Sequence, residues 1–172
     1  MPDKKPSIAI GVAAYVVLSV GVAFLSAQGG TVTQSIAGCL GCAVLLAGPV
    51  LAVWHYTSTH RVTLLAGPGA AMGAITGAVG AVLAGAIQQA LMAASVLPSV
   101  AETLANQRRQ MIEQGMDAAE ADRAMAFAEQ LGGLTSNPVL GIVVGALLGA
   151  ALGALFGALA ASVFKKGPAE VR

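Results

Sequence analysis

Charge is what this chain has least of. Asp, Glu, Lys and Arg make up 10% of its 172 residues, against roughly 25% in an ordinary soluble domain. None of them occurs from 6 to 60, from 62 to 101 or from 130 to 164. Aromatics are scarce too, at 4%, so the stacking platforms that hold single-stranded bases are missing. A net charge of +1 supplies no field for phosphates, and nucleic acid is excluded as a partner. No G-x-S-x-G, H-E-x-x-H, P-loop or dinucleotide fingerprint is present, and Gly67-Pro68-Gly69 reads as a turn. No enzyme is expected, and no cofactor or metal.

What is present is apolar. Hydrophobic residues make up 56% of the chain, and the mean hydropathy is +0.79. An uncharged run of about 18 or more residues can cross a ~30 Å hydrocarbon core as a helix. Four runs qualify: about 8–27, about 35–54, 66–88 with an extension to 97, and 138–164. The first follows Lys4-Lys5 and competes with a cleaved secretory signal. At about twenty residues it is too long for that, and Phe24 or Leu25 stands where a small residue belongs. The second contains Gly48-Pro49, expected to kink or loosen it, and closes on the interfacial aromatics Trp54 and Tyr56. The third is too long for one leaflet-to-leaflet helix. Two amides in lipid are costly, so it is expected to leave the bilayer at Gln88-Gln89. The fourth opens on Asn137-Pro138. The expected fold is all-α: a four-helix integral membrane bundle, with the lipid bilayer as its surroundings.

Cationic loops mark the cytoplasm. With the N-terminus inside, the inner segments hold Lys4, Lys5, Arg61, Lys165, Lys166 and Arg172, and the outer ones Arg108, Arg109 and Arg123. Both termini are therefore expected in the cytoplasm.

Residues 98–137 carry six of the eight acids and read as an extramembrane helical hairpin, separating residues 1–97 from residues 138–172. Ser99 and Glu102 have capping-box spacing, and Asp117 and Glu120 repeat it. Gly115 should stop the first helix and Gly132-Gly133 the second. Leu104, Met111 and Ile112 form one weak apolar stripe; Ala121, Ala124, Met125, Ala128 and Leu131 form the other. The hairpin is either a solvated linker or a docking module, in which case Arg108, Arg109, Met111 and Met125 are its contact residues.

The most specific pattern is glycine at every fourth position of the last run: Gly141, Gly145, Gly149, Gly153 and Gly157, continued by Ala161. The third run has Gly69, Gly73 and Gly77. Such stripes strip a ridge from a helix and let a second backbone approach. The first reading is that the two stripes meet within one chain. The alternatives are pairing with a second copy and a glycine-lined path.

Few side chains in the runs could do chemistry. With no charged residue inside any run, a proton-coupled pump is disfavoured. Cys39 and Cys42 form a C-x-x-C without a thioredoxin-like unit and read as small packing thiols. His55 and His60 are expected at the interface.

The segment from Arg108-Arg109-Gln110-Met111-Ile112-Glu113 to Gly115-Met116-Asp117-Ala118-Ala119-Glu120, with the last run and Lys165-Lys166, resembles a bacterial four-span membrane family known as domain of unknown function 4199. The resemblance implies an inner-membrane protein and supplies no activity. The chain departs from that family in its heavy glycine and alanine content. Two functions are carried forward: a structural or accessory membrane protein that binds a partner or a second copy, and a small channel or carrier.

Overall fold

The computed structural model describes residues 3–27, 31–135, 137–165 and 167. Residues 28–30, Lys166 and Arg172 of the sequence reading lie outside these, as do the side chains of Ala128 and Leu131. The described chain is helical in six segments: α1 Lys5–Ala27, α2 Thr31–His60, α3 Ala66–Ala93, α4 Val100–Glu113, α5 Ala118–Thr135 and α6 Pro138–Val163. Among the described residues the only strand-like pairing is one antiparallel bridge, Thr63 with Lys165.

Helices α1, α2, α3 and α6 are long and apolar enough to cross a membrane. At 1.5 Å per residue their 23, 30, 28 and 26 residues span about 35–45 Å, against a ~30 Å core. Val17, Val139, Leu147 and Val163 are each about two-thirds exposed. A surface of this kind is unstable in water and ordinary in lipid. The chain is a multi-pass membrane protein.

Several boundaries differ from the sequence reading. Helix α2 starts at Thr31 and runs six residues past Trp54 to His60, passing through Pro49 without interruption. Pro49 is fully buried, so neighbouring helices shield the carbonyl that proline leaves without a donor. Gly67 and Pro68 belong to the first turn of α3, where proline is tolerated. That helix continues past Gln88-Gln89 to Ala93 and ends on Ser95 at φ 57°. Ser95 N–H donates to the Met92 carbonyl and Val96 N–H to that of Leu91, the pair of bonds usually built around glycine.

Ser99 and Glu102 cap α4 reciprocally. At its other end Gly115 has φ 92°, and Gly115 and Met116 donate to the carbonyls of Ile112 and Met111. Helix α5 continues through Gly132-Gly133 to Thr135. Asn137 accepts from the Val139 N–H at 3.0 Å and sets Pro138 at the start of α6.

Helix α3 packs most extensively on α6, and α1 on α2. One core cluster, around Val53, Tyr56, Leu64, Met72 and Ala161, gathers the start of α1, the end of α2, the start of α3 and the end of α6. That end of the bundle also carries Lys4, Lys5, Arg61 and Lys165. Helices α4 and α5 occupy the opposite end, joined in sequence to the far ends of α3 and α6.

Candidate functional site: a glycine seam and the cleft beside it

The α3–α6 contact is a backbone-to-backbone seam. A Cβ at Gly69 would lie 2.5 Å from Ala161 Cβ and 2.7 Å from the Gly157 carbonyl oxygen. One at Gly73 would overlap the Gly153 oxygen, and one at Gly77 the Gly149 oxygen. The relation is mutual. Added carbons at Gly157 and Gly153 would overlap the oxygens of Gly69 and Gly73, and one at Gly149 would sit 2.6 Å from that of Gly77. All six glycines are buried. Close approach of this kind substitutes dispersion between backbones for the hydrophobic drive that lipid does not supply between helices.

The stripe of α6 divides at Gly149. Gly145 has no atom within 4 Å of an added Cβ. Gly141 and Gly145 instead line a cleft of about 440 Å³, walled by α1, α2, α3 and α6 on the hairpin side of the seam. Its polar lining consists of Tyr15, Ser19, Gln88 and Gln89. Tyr15 is 7% exposed, and the other three are half-buried. None of the four side chains has a hydrogen bond to another described residue. Leaving such a group unpaired when buried costs about 1–3 kcal/mol. Sequence reading expected the amides of Gln88-Gln89 to mark an exit from lipid. Both sit within α3 and line this cleft.

Three further contacts lie outside the sequence reading. Gly11 and Gly48 form a second close approach: a Cβ at Gly11 would lie 2.6 Å from the Gly48 oxygen. Gly48 and Gly80 also make room for the Tyr15 ring, whose nearest atoms lie 3.2 Å and 2.8 Å from their added carbons. These glycines sit on three different helices, so no periodicity links them. Ser7 Oγ and His55 Nδ1 share a hydrogen bond of 3.0 Å across 48 residues. It pins α1 to α2, and with Ser7 only 1% exposed the hydroxyl has no open approach for a substrate. Cys39 and Cys42 are free and exposed.

In the hairpin, the residues marked for docking separate into two groups. Arg108 forms an ion pair with Asp122 across the two helices, which holds the Asp122 carboxyl below its usual range. Met125 is 5% exposed and Ala121 fully buried, so Met125 fills space between α4 and α5. Arg109 is exposed and Met111 half-buried. Ala124 and Ile112, assigned to the apolar stripes, are exposed. Glu102 accepts from the Ser99 backbone N–H at 2.7 Å and from its hydroxyl at 3.0 Å, and these bonds lower its pKa. Comparison with family models, curated proteins and solved structures finds no match to this chain.

Proposed function

We propose that this chain is a structural or accessory protein of a bacterial cytoplasmic membrane, with both termini in the cytoplasm and no enzymatic activity. It acts by holding the α4–α5 hairpin outside the bilayer on the extracytoplasmic side and presenting it to a membrane-protein partner. The observation that carries this reading is where the hairpin is rooted. Its first leg follows α3 and its second leg precedes α6, the two helices joined by the glycine seam. Backbones in such close contact leave little room for sliding, so the hairpin stands on a pair of helices held backbone to backbone. Arg109 is exposed and Met111 half-exposed for the partner, while Arg108 and Met125 hold the hairpin together. The concentration of Lys4, Lys5, Arg61 and Lys165 at the opposite end supports the orientation.

A photo-crosslinking residue at Arg109, activated in intact membranes and read by mass spectrometry, tests the proposal. It expects one dominant protein adduct that is absent when the same residue replaces Met125. Diffuse labelling from both positions would contradict it. A small channel or carrier is the second reading, favoured by the unpaired polar groups of the cleft. It requires polar thiol reagents to reach a cysteine at Gly145 from water.

A further inference from the structure

We infer that the cleft beside the seam is a binding site for the acyl-ester region of a membrane glycerolipid. Three observations combine. Its volume, about 440 Å³, falls in the range of about 300–1,000 Å³ typical of small-molecule sites. Its lining runs along α3 from Ala81 to Met92. That is a length of about 16 Å, close to one leaflet of a ~30 Å core. Its polar groups are two hydroxyls and two amides, all able to donate, all uncharged, and all without a partner among the described residues. Tyr15 is more than nine-tenths buried.

These properties select the ligand. Among the described residues no charged side chain lines the cleft, so none there neutralises a phosphate, and the headgroup stays outside. Ester carbonyls are acceptors without protons and match the donors of Gln88, Gln89 and Ser19. The chain beyond the ester meets Leu45, Ile142 and Leu152. Gly141 and Gly145 leave the space that larger residues would fill, so α6 uses one glycine register for two tasks: closing on α3 below Gly149 and opening above it. The inference stands apart from the scaffold reading, because a lipid can fill the cleft whether or not the hairpin meets a partner.

The test uses the full chain in nanodiscs of phosphatidylethanolamine and phosphatidylglycerol, doped with a phosphatidylcholine bearing a photoactivatable diazirine on one acyl chain. Adducts are mapped by mass spectrometry. The expected result is saturable labelling of the cleft peptides, displaced equally by either unlabelled phospholipid, with non-saturable labelling around Leu147 on the outer face. Gly145→Phe should reduce the saturable component about tenfold, and Tyr15→Phe with Ser19→Ala about fivefold, the loss of about one hydrogen bond's net free energy. The second variant leaves the shape of the bundle intact and decides the matter if the first does not fold. Non-saturable labelling of the cleft, or labelling unchanged in the Tyr15→Phe, Ser19→Ala variant, overturns the inference. So does ready reaction of Gly145→Cys with a membrane-impermeant maleimide in a Cys39→Ala, Cys42→Ala background, which marks a water-filled vestibule.

Discussion

Replacing Gly153 and Gly145 separately by alanine makes the same chemical change on one helix, two turns apart, with opposite expected outcomes. At Gly153 the new methyl would overlap the Gly73 carbonyl oxygen and lie 2.9 Å from the Gly73 carbonyl carbon and 3.3 Å from Gly77 Cα. All three are backbone atoms, so no rotamer change relieves the overlap and α3 must move away from α6. Overpacking of this kind costs about 1–3 kcal/mol. A gap of about 0.5–1 Å along the rest of the seam would also forfeit a quarter to a half of each dispersion contact. The expected loss is about 2–3 kcal/mol, less up to about 1 kcal/mol for the better helix propensity of alanine. At Gly145 the methyl meets nothing within 4 Å. Only the propensity gain applies, so stability should be unchanged or rise by up to about 1 kcal/mol. Reversible unfolding in mixed micelles, followed by circular dichroism, gives both differences. Equal destabilisation by the two variants would refute the assignment of the seam, as would indifference to both.

Ser95→Gly should stabilise the bundle by about 0.5–1 kcal/mol in the same assay, because glycine holds the left-handed conformation of Ser95 without the Cβ penalty. Ser99→Ala should cost α4 about 1 kcal/mol through loss of its cap, read as faster amide exchange over Val100–Glu113. The pH dependence of the hairpin follows from Glu102 and Asp122, both held below the usual carboxylate range. Their contribution is complete above the unfolded carboxylate values near pH ~4 and is lost as pH falls through the lowered folded values. Amide protection in α4 and α5 should therefore decline in acid, and Ser99→Ala should flatten that decline in α4. A reporter fused at Gly115 should register as extracytoplasmic, and cytoplasmic activity there would reverse the proposed orientation.

What could be read from the sequence was what depends on local chemistry. Uncharged runs of about twenty residues can satisfy their backbone in lipid only as helices, so the all-α class and the number of apolar helices followed directly. The Ser99–Glu102 cap and the stop at Gly115 are set by neighbours within a few residues. The four-residue glycine register of α6 was equally visible, and five glycines facing three implied that the outer part of the stripe serves another neighbour, but the point of division at Gly149 was not legible. Which glycines meet α3 depends on where two tilted helices cross, and nothing within α6 distinguishes Gly145 from Gly153. The seat of Tyr15 against Gly48 and Gly80, and the Ser7–His55 bond, join residues tens of positions apart. The stop of α3 was not legible for a different reason. The apolar extension runs on to Leu97, whereas the helix ends four residues earlier, at Ala93, on a left-handed serine, a choice that composition does not signal.

The seam within a single chain is the claim on which the rest stands, and disulfide trapping tests it most directly. An added Cβ at Gly85 of α3 lies 3.3 Å from Ile142 Cγ1 of α6 and meets no backbone atom within 4 Å, so a cysteine pair there falls near the roughly 3.5–4.5 Å Cβ separation that a disulfide requires. The Gly85→Cys, Ile142→Cys double variant, without Cys39 and Cys42, should oxidise in membranes to a fast-migrating monomer. A copy carrying a different tag should not be captured with it. A disulfide-linked dimer joining the two tags, or no crosslink at all, would contradict the α3–α6 contact described here.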